Sequence, residues 1–315
     1  MYYLGIDLGG TNVAAGVVDD EYKIISKASV PTNADKGVDV IIKNIADAAN
    51  KAIAGAGITV QQIESIGIGS PGAIDSKNGI VDFAGNLGFD KTPLAKLVGE
   101  YFPNKKILIE NDANVAAYAE MIAGAAKGTK DSVTITLGTG VGGGMIIDGK
   151  IYSGFNGKGG ELGHIVIERD GRPCTCGRRG CFEAYASVTA LIRFTKEEME
   201  RDKDSVMWQL VSGDISRVSG RTAFDAMRKG DATATYVVGG YLRSVSIGIA
   251  DIINMLQPEV LCIGGGISNE GDTLLMPVKK MVAKEVFTSH SNSTTDIRIA
   301  MLGNDAGIIG AALLK

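Results

Sequence analysis

The chain is poor in proline, with 7 in 315 residues, and poor in cysteine, with 4. So little proline, together with glycine that follows no period, excludes a collagen-like or proline-rich disordered chain. Three of the four cysteines, Cys174, Cys176 and Cys181, fall within eight residues, which argues against a scattered disulfide framework. Basic charge is also short. The 32 Lys and Arg against 36 Asp and Glu leave a net charge of −4, and no basic run stands out, so there is no electrostatic case for nucleic acid or anionic lipid. No apolar stretch reaches the ~18 residues of a membrane span, because segments such as SVSIGIADIINML are broken by polar residues. The opening MYYLGIDLGG has neither the basic nor the long apolar region of a signal peptide. These absences predict a cytoplasmic protein with no membrane and no nucleic-acid partner.

Glycine is abundant: 43 residues, about twice the usual ~7%. In a chain long enough for about two domains, that excess points to backbone approaching a ligand closely. The apolar patterning alternates between strand-like and helix-like segments. Strands are predicted over 2–7, 13–19, 23–30, 65–72, 106–110, 259–266 and 297–302. Helices are predicted over 37–54, after 111, over 233–256 and over 305–314. In the long helix Val237, Leu242, Val245, Ile249, Ile252 and Ile253 should face inward. A linker is expected near 118–130.

One pattern occurs twice. LGGTNVAAGVVD (8–19) aligns with LGTGVGGGMIID (137–148) at a constant offset of 129 residues. Each reads as strand, glycine-rich turn, apolar strand and a closing Asp. This predicts a duplicated α/β unit, two lobes and a ligand cleft between them.

Glycine turns follow strands at DLGGTN (7–12), LGTGVGGG (137–144) and IGGGIS (263–268). Turns without Cβ atoms let several N–H groups point at one anion, and Thr11 and Thr139 can add hydroxyls. No Walker motif is present, and no G-x-G-x-x-G leads from strand to helix. The paired hairpin turns make a nucleoside triphosphate the leading candidate ligand. Asp7 ends the first strand beside its turn; it serves either as a turn cap or as an anchor for Mg²⁺ through water. Asp112 sits where a strand meets a helix. It, or Asn111, serves as an N-cap, or Asp112 is the base for a phosphoryl-accepting hydroxyl.

His164, Cys174, Cys176 and Cys181 lie within 18 residues and match a closed Cys3His zinc site. With no open position such a zinc is structural, and its role is to pin a loop. Glu161 and Glu183 flank these ligands and would then be fixed as acceptors for substrate hydroxyls. His164 would bind zinc through one ring nitrogen and offer N–H from the other. Cys262 reads as a buried strand residue.

DLGGTN, SPGAID, GNLGF, ENDAN, LGTGVGGG, GGELGH and CxCGxxGC, in this order, resemble the ROK family of sugar kinases and repressors over nearly the whole chain. The likeness is closest to the bacterial glucokinases of that family. The resemblance implies the duplicated actin-like ATPase (ribonuclease H-like) α/β fold, with a smaller lobe over 1–120 joined by a terminal helix over 303–315, and a larger lobe over 121–302 carrying the zinc loop. It implies ATP-dependent phosphorylation of a hexose at the 6-hydroxyl, glucose first, with ATP, Mg²⁺ and structural Zn²⁺. Asp112 would take the hydroxyl proton, and Asn86, Asn111, Glu161, His164 and Glu183 would hold the other sugar hydroxyls. Asp7, Gly9, Gly10, Thr11 and Asn12, with Gly138, Thr139 and Gly140, would hold the phosphate end of ATP, and Gly265 and Gly266 would lie near the adenosine. A homo-oligomer, dimer or tetramer, is expected. Met1 stands only a few residues before the first phosphate strand, so no DNA-binding helix-turn-helix is expected. Phe89 stands where family glucokinases commonly show Trp, which bears on sugar preference: mannose, fructose or an N-acetylated hexosamine are the alternatives to glucose. A non-catalytic sugar sensor and a chaperone-like ATPase are the competing classes; Asp112 argues against the first and the zinc loop against the second. Residues 195–235 carry no matching motif.

Overall fold

The structure is a computed structural model, and it describes residues 1–291 and 293–314. By compactness the chain divides into Met1–Thr134, Gly144–Gly160 and Ala300–Lys315 as one unit and Ile135–Gly143 with Glu161–Ile299 as the other. Residues 118–130, read as a linker, lie inside the first unit.

The first unit opens with β1 (Tyr2–Leu8), β2 (Asn12–Asp19) and β3 (Ile24–Pro31), then α1 (Val38–Gly55) and β4 (Ile63–Ser70). A small meander, β5 (Ala73–Asp75), β6 (Ile80–Ala84) and β7 (Phe89–Thr92), leads through α2 (Leu94–Gly99) to β8 (Lys106–Asn111) and α3 (Asp112–Ala123). Ile41, Ile45, Ala48, Ala49 and Ala52 recur at helical spacing, and all are buried where α1 meets the sheet. The chain continues through β9 (Ser132–Leu137), β10 (Val141–Ile147) and β11 (Lys150–Ile151) to α4 (Glu183–Ala186), α5 (Val188–Arg201), α6 (Val206–Leu210), α7 (Thr222–Arg228) and α8 (Ala232–Leu256). It ends with β12 (Val260–Gly264), α9 (Asp272–Glu285), β13 (Asp296–Ile299) and α10 (Ala306–Ala312).

The two five-stranded sheets share one plan. Their orders are β3-β2-β1-β4-β8 and β11-β10-β9-β12-β13. In the first, β2 is antiparallel to both neighbours, whereas β4 and β8 continue parallel to β1. In the second, β10–β11 is antiparallel and β12–β13 parallel. The repeat at an offset of 129 residues is therefore a repeat of topology, and the fold is the duplicated actin-like α/β arrangement. The separate sheet β5-β6-β7 has no counterpart in the expected strands.

Helix α8 has the length and apolar composition of a membrane span, unlike the expectation of broken apolar stretches. It is a packed helix instead. The six residues expected to face inward are all buried, and α8 touches α4, α5, α7 and α9. Asp231 caps its first turn by accepting from the Ala234 N–H at 2.6 Å, and a second oxygen accepts from Val206 N–H, which ties α6 to it. Residues 195–235 thus form helices that support α8.

Part of the glycine excess serves packing rather than ligands. Helix α10 lies on β1 and β4 so closely that a Cβ on Gly5 would stand 1.8 Å from the Ile308 carbonyl oxygen, and one on Gly67 1.8 Å from that of Ala311.

Candidate active site and metal centre

In the first sheet the parallel register sets Asp7 opposite Gly69 and Asn111 opposite Ser70. The carboxyl ends of β1, β4 and β8 therefore meet at one edge, which is where open α/β sheets place their chemistry. Asp7 and Asp112 come together there. Burial first, and then the charge of Asp112, push the Asp7 carboxyl up to about 6. Asp112 is raised as well: burial outweighs the N–H bond it accepts from Ala113 at 2.8 Å. A carboxylate held this way is a stronger base than an exposed one.

The helix cap at this junction is Asn111. Its Oδ1 accepts from Ala113 and Asn114 N–H at 3.0 and 3.2 Å, and its Nδ2 donates to the Gly72 carbonyl at 3.2 Å. One amide hydrogen of Asn111 remains for a ligand. Capping by Asn111 gives Asp112 a different part to play. Buried Glu110 locks the turn from behind, accepting from Asn111 N–H at 2.8 Å, Asn114 Nδ2 at 3.0 Å and Ser76 Oγ at 2.8 Å. Glu110 was not foreseen, although its place beside two candidate residues in ENDAN was a signal. Gly307 was also missed: a Cβ there would stand 2.6 Å from the Asp7 carboxyl carbon, so only glycine leaves room for that carboxylate.

The first glycine turn joins β1 to β2. Gly9 N–H donates to the Asn12 carbonyl at 2.9 Å, and Thr32 Oγ1 donates to the Gly9 carbonyl at 2.6 Å. Gly10, Thr11 and Asn12 are exposed at its tip. Asn86 is exposed too, with Nδ2 3.2 Å from where a Cβ on Gly10 would stand. Phe89, three residues on, is 1% exposed and packs in the core.

The second turn is held from three sides within its own unit. Val188 N–H donates to the Gly138 carbonyl at 2.8 Å, Thr189 Oγ1 to that of Thr139 at 2.8 Å, and Val141 N–H to Glu183 Oε2 at 3.1 Å. Gly140 packs against the same Glu183 oxygen. The third turn sits alongside: Gly265, at φ +83°, presses on the Leu137 backbone, where a Cβ would stand 2.4 Å from the carbonyl oxygen, and Gly266 is exposed.

The cysteine segment is a hairpin with bridges Val166–Cys181 and Pro173–Arg179. One donor atom from each of His164, Cys174, Cys176 and Cys181 falls within 4.8 Å of all the others, with His164 Nδ1 3.6 Å from Cys174 Sγ and Cys176 Sγ 3.6 Å from Cys181 Sγ. Such spacing fits tetrahedral Cys3His coordination, with metal–sulfur bonds of about 2.3 Å. Burial pushes the Cys181 thiol up to about 12, so a metal must displace its proton. Glu183 reaches this loop as well: its Oε1 accepts from Thr175 Oγ1 at 3.1 Å and Cys174 Sγ at 3.7 Å. One carboxylate thus ties the cysteine loop to the second glycine turn. Glu161 is exposed, and its carbonyl accepts from His164 N–H at 3.0 Å.

The ROK family model matches residues 3–315. The chain belongs to the ROK family. Within it, the chain is 38% identical over 314 residues to a glucokinase of Halalkalibacterium halodurans, an alignment covering 99% of this chain and 94% of that one. It is 36% identical to a glucokinase of Thermotoga maritima, covering 98% and 95%. A ROK family glucokinase from Streptomyces griseus, solved with glucose and AMPPNP, superposes with a TM-score of 0.84 at 35% identity, covering 99% of this chain and 98% of that one.

Proposed function

We propose that this ROK protein is a glucokinase, transferring the γ-phosphoryl group of ATP to the 6-hydroxyl of glucose. The observation that carries the reading is the pair of half-buried carboxylates, Asp7 and Asp112, at the carboxyl edge of the first sheet beside a glycine turn. The full-length likeness to glucokinases agrees with it.

Asp112 accepts the proton of the 6-hydroxyl as phosphorus is attacked, and its burial makes it basic enough for that task. Asn111, locked by the helix cap and by Glu110, orients the sugar beside it, and Asn86 holds another hydroxyl. Glu161, His164 and Glu183 are assigned to the remaining hydroxyls. The turns Gly9, Gly10, Thr11 and Asn12, and Gly138, Thr139 and Gly140, cradle the phosphate oxygens, with Gly9 and Gly138 N–H closing the turns onto the Asn12 and Gly140 carbonyls at 2.9 and 3.0 Å, and Gly265 and Gly266 lie toward the adenosine. Two neighbouring carboxylates suit a hard divalent cation, so Asp7 would hold Mg²⁺, through water, where it neutralises phosphate charge. The Cys3His set is assigned to structural Zn²⁺, which fixes the hairpin bearing His164 and, through Cys174 and Thr175, the carboxylate of Glu183.

A coupled ADP-release assay over glucose, mannose, fructose and N-acetylated hexosamines tests this. Glucose should give the highest kcat/KM. Absence of sugar-dependent ADP release would refute the kinase, and a preference for another hexose would refute the substrate.

A further inference from the structure

Next to the cysteine hairpin, the second unit carries a cavity of about 230 Å³, open to solvent on one side and lined from α4, α5 and α8. Sites for drug-sized molecules run to roughly 300–1,000 Å³, so this one suits a smaller metabolite. Its walls differ in chemistry. Leu191, Phe194 and Tyr241 give it an apolar side, and the Tyr241 hydroxyl is spent on the Ala186 carbonyl at 2.9 Å. Arg172, Arg193 and Tyr185 give it a polar side.

The charges on that side do not balance. Arg172 grips both oxygens of Glu197, at 2.7 and 2.6 Å. Arg193 stands 4.0 Å from the same carboxylate, and its Nη2 donates to the Ala184 carbonyl. Two guanidinium groups share one carboxylate, which leaves one positive charge over. The atom that stands 4.0 Å from Glu197 is the buried Arg193 Nε, and among the described residues it makes no hydrogen bond, a state that native proteins seldom leave unanswered. Burial, and then the like charge of Arg172, pull the Arg193 pKa down against the opposing pull of Glu197. Tyr185 accepts from Arg172 N–H at 2.6 Å through its oxygen, so its own hydroxyl proton remains to donate.

We propose that this cavity is an effector site for a small organic anion, a carboxylate or phosphate ester with an apolar body. The anionic group meets Arg193 and the Tyr185 hydroxyl, and the body lies against Phe194 and Leu191. The helices that wall the cavity are those that hold the second glycine turn through Glu183, Val188 and Thr189. Filling the cavity therefore bears on that turn and on nucleotide affinity, a consequence that rests on the turn being a phosphate cradle.

Calorimetry on the whole protein, with benzoate, glycerol 3-phosphate and inorganic phosphate as probes, tests the site. An organic probe should bind below about 10 mM, and better than inorganic phosphate. Arg193→Gln should weaken it on the order of tenfold or more. Ser244 lines the cavity from α8, and Ser244→Leu, which fills it, should abolish binding while leaving cooperative unfolding intact. At saturation the probe should shift the Kd of a non-hydrolysable ATP analogue by about fivefold or more. The proposal is overturned if no organic probe binds, if both variants bind as the parent does, if inorganic phosphate binds as well as the organic probes, or if nucleotide affinity does not move. If the parent bound no nucleotide at all, the phosphate-cradle reading would fail, and the probe titrations alone would still decide the cavity.

Discussion

Replacing Asp7 by asparagine removes a charge that folding has to bury. The Asp7 carboxyl titrates at about 6 in the folded chain against 3.8 when unfolded, because of burial and then Asp112. The folded state thus holds this proton more tightly than the unfolded one. Below about pH 4 the group takes nothing from stability; between about pH 4 and 6 stability falls as pH rises; above that the whole cost stands. A gap of about two in pKa is worth about 3 kcal/mol. Asp7→Asn keeps the shape and deletes the charge. In metal-free buffer at pH 8 it should raise the free energy of unfolding by up to about 3 kcal/mol, and at pH 4 by close to nothing. Urea titrations followed by circular dichroism across that range measure the difference. The same variant should lose most of its kinase turnover, a gain in stability bought from function. A variant that is no more stable than the parent at pH 8, or that gains equally at pH 4, would refute the reasoning.

Three other perturbations probe the frame around the site. Gly67→Ala sets a methyl group against the Ala311 carbonyl of α10, and should lower stability by about 3 kcal/mol or more, measured by chemical denaturation. Buried Glu120 accepts from the N–H groups of Ala125, Met301 and Leu302 at 2.7, 3.1 and 2.8 Å. Glu120→Ala removes that acceptor from all three N–H groups and should lower stability by about 1–3 kcal/mol, and hydrogen exchange at Met301 and Leu302 should quicken markedly. Cys176→Ser should empty the Cys3His site of zinc, read by atomic absorption, and weaken hexose affinity; full zinc content with unchanged affinity would show that the metal pins nothing.

Much of this architecture was legible in the residues. The repeat of LGGTNVAAGVVD in LGTGVGGGMIID foretold two sheets of like order, because a strand–turn–strand pattern is local and its register is carried by alternation. The inward face of α8 and the four metal-ligand candidates were legible for the same reason: helical period and close spacing are one-dimensional signals. Contacts between distant segments were not. Nothing near Gly5 or Gly67 announces that α10 will press on them, and the excess of glycine was read only as ligand approach. Nor does the short spacing of Asn86 and Phe89 tell that their turn sends the first side chain to the surface and the second into the core. Glu183 looked like a substrate ligand beside a cysteine loop. Besides that proposed part, its two oxygens join that loop to the second glycine turn, a link across some forty residues that spacing alone does not reveal.

Asp112 is the group proposed to take the proton from the sugar. Its direct measurement is glucose-dependent ADP release by Asp112→Asn, alongside calorimetric titration of the same variant with glucose. Loss of a positioned base should cut kcat by about 10²–10⁴-fold while glucose still binds. Turnover near that of the parent, at undiminished glucose affinity, would contradict the assignment.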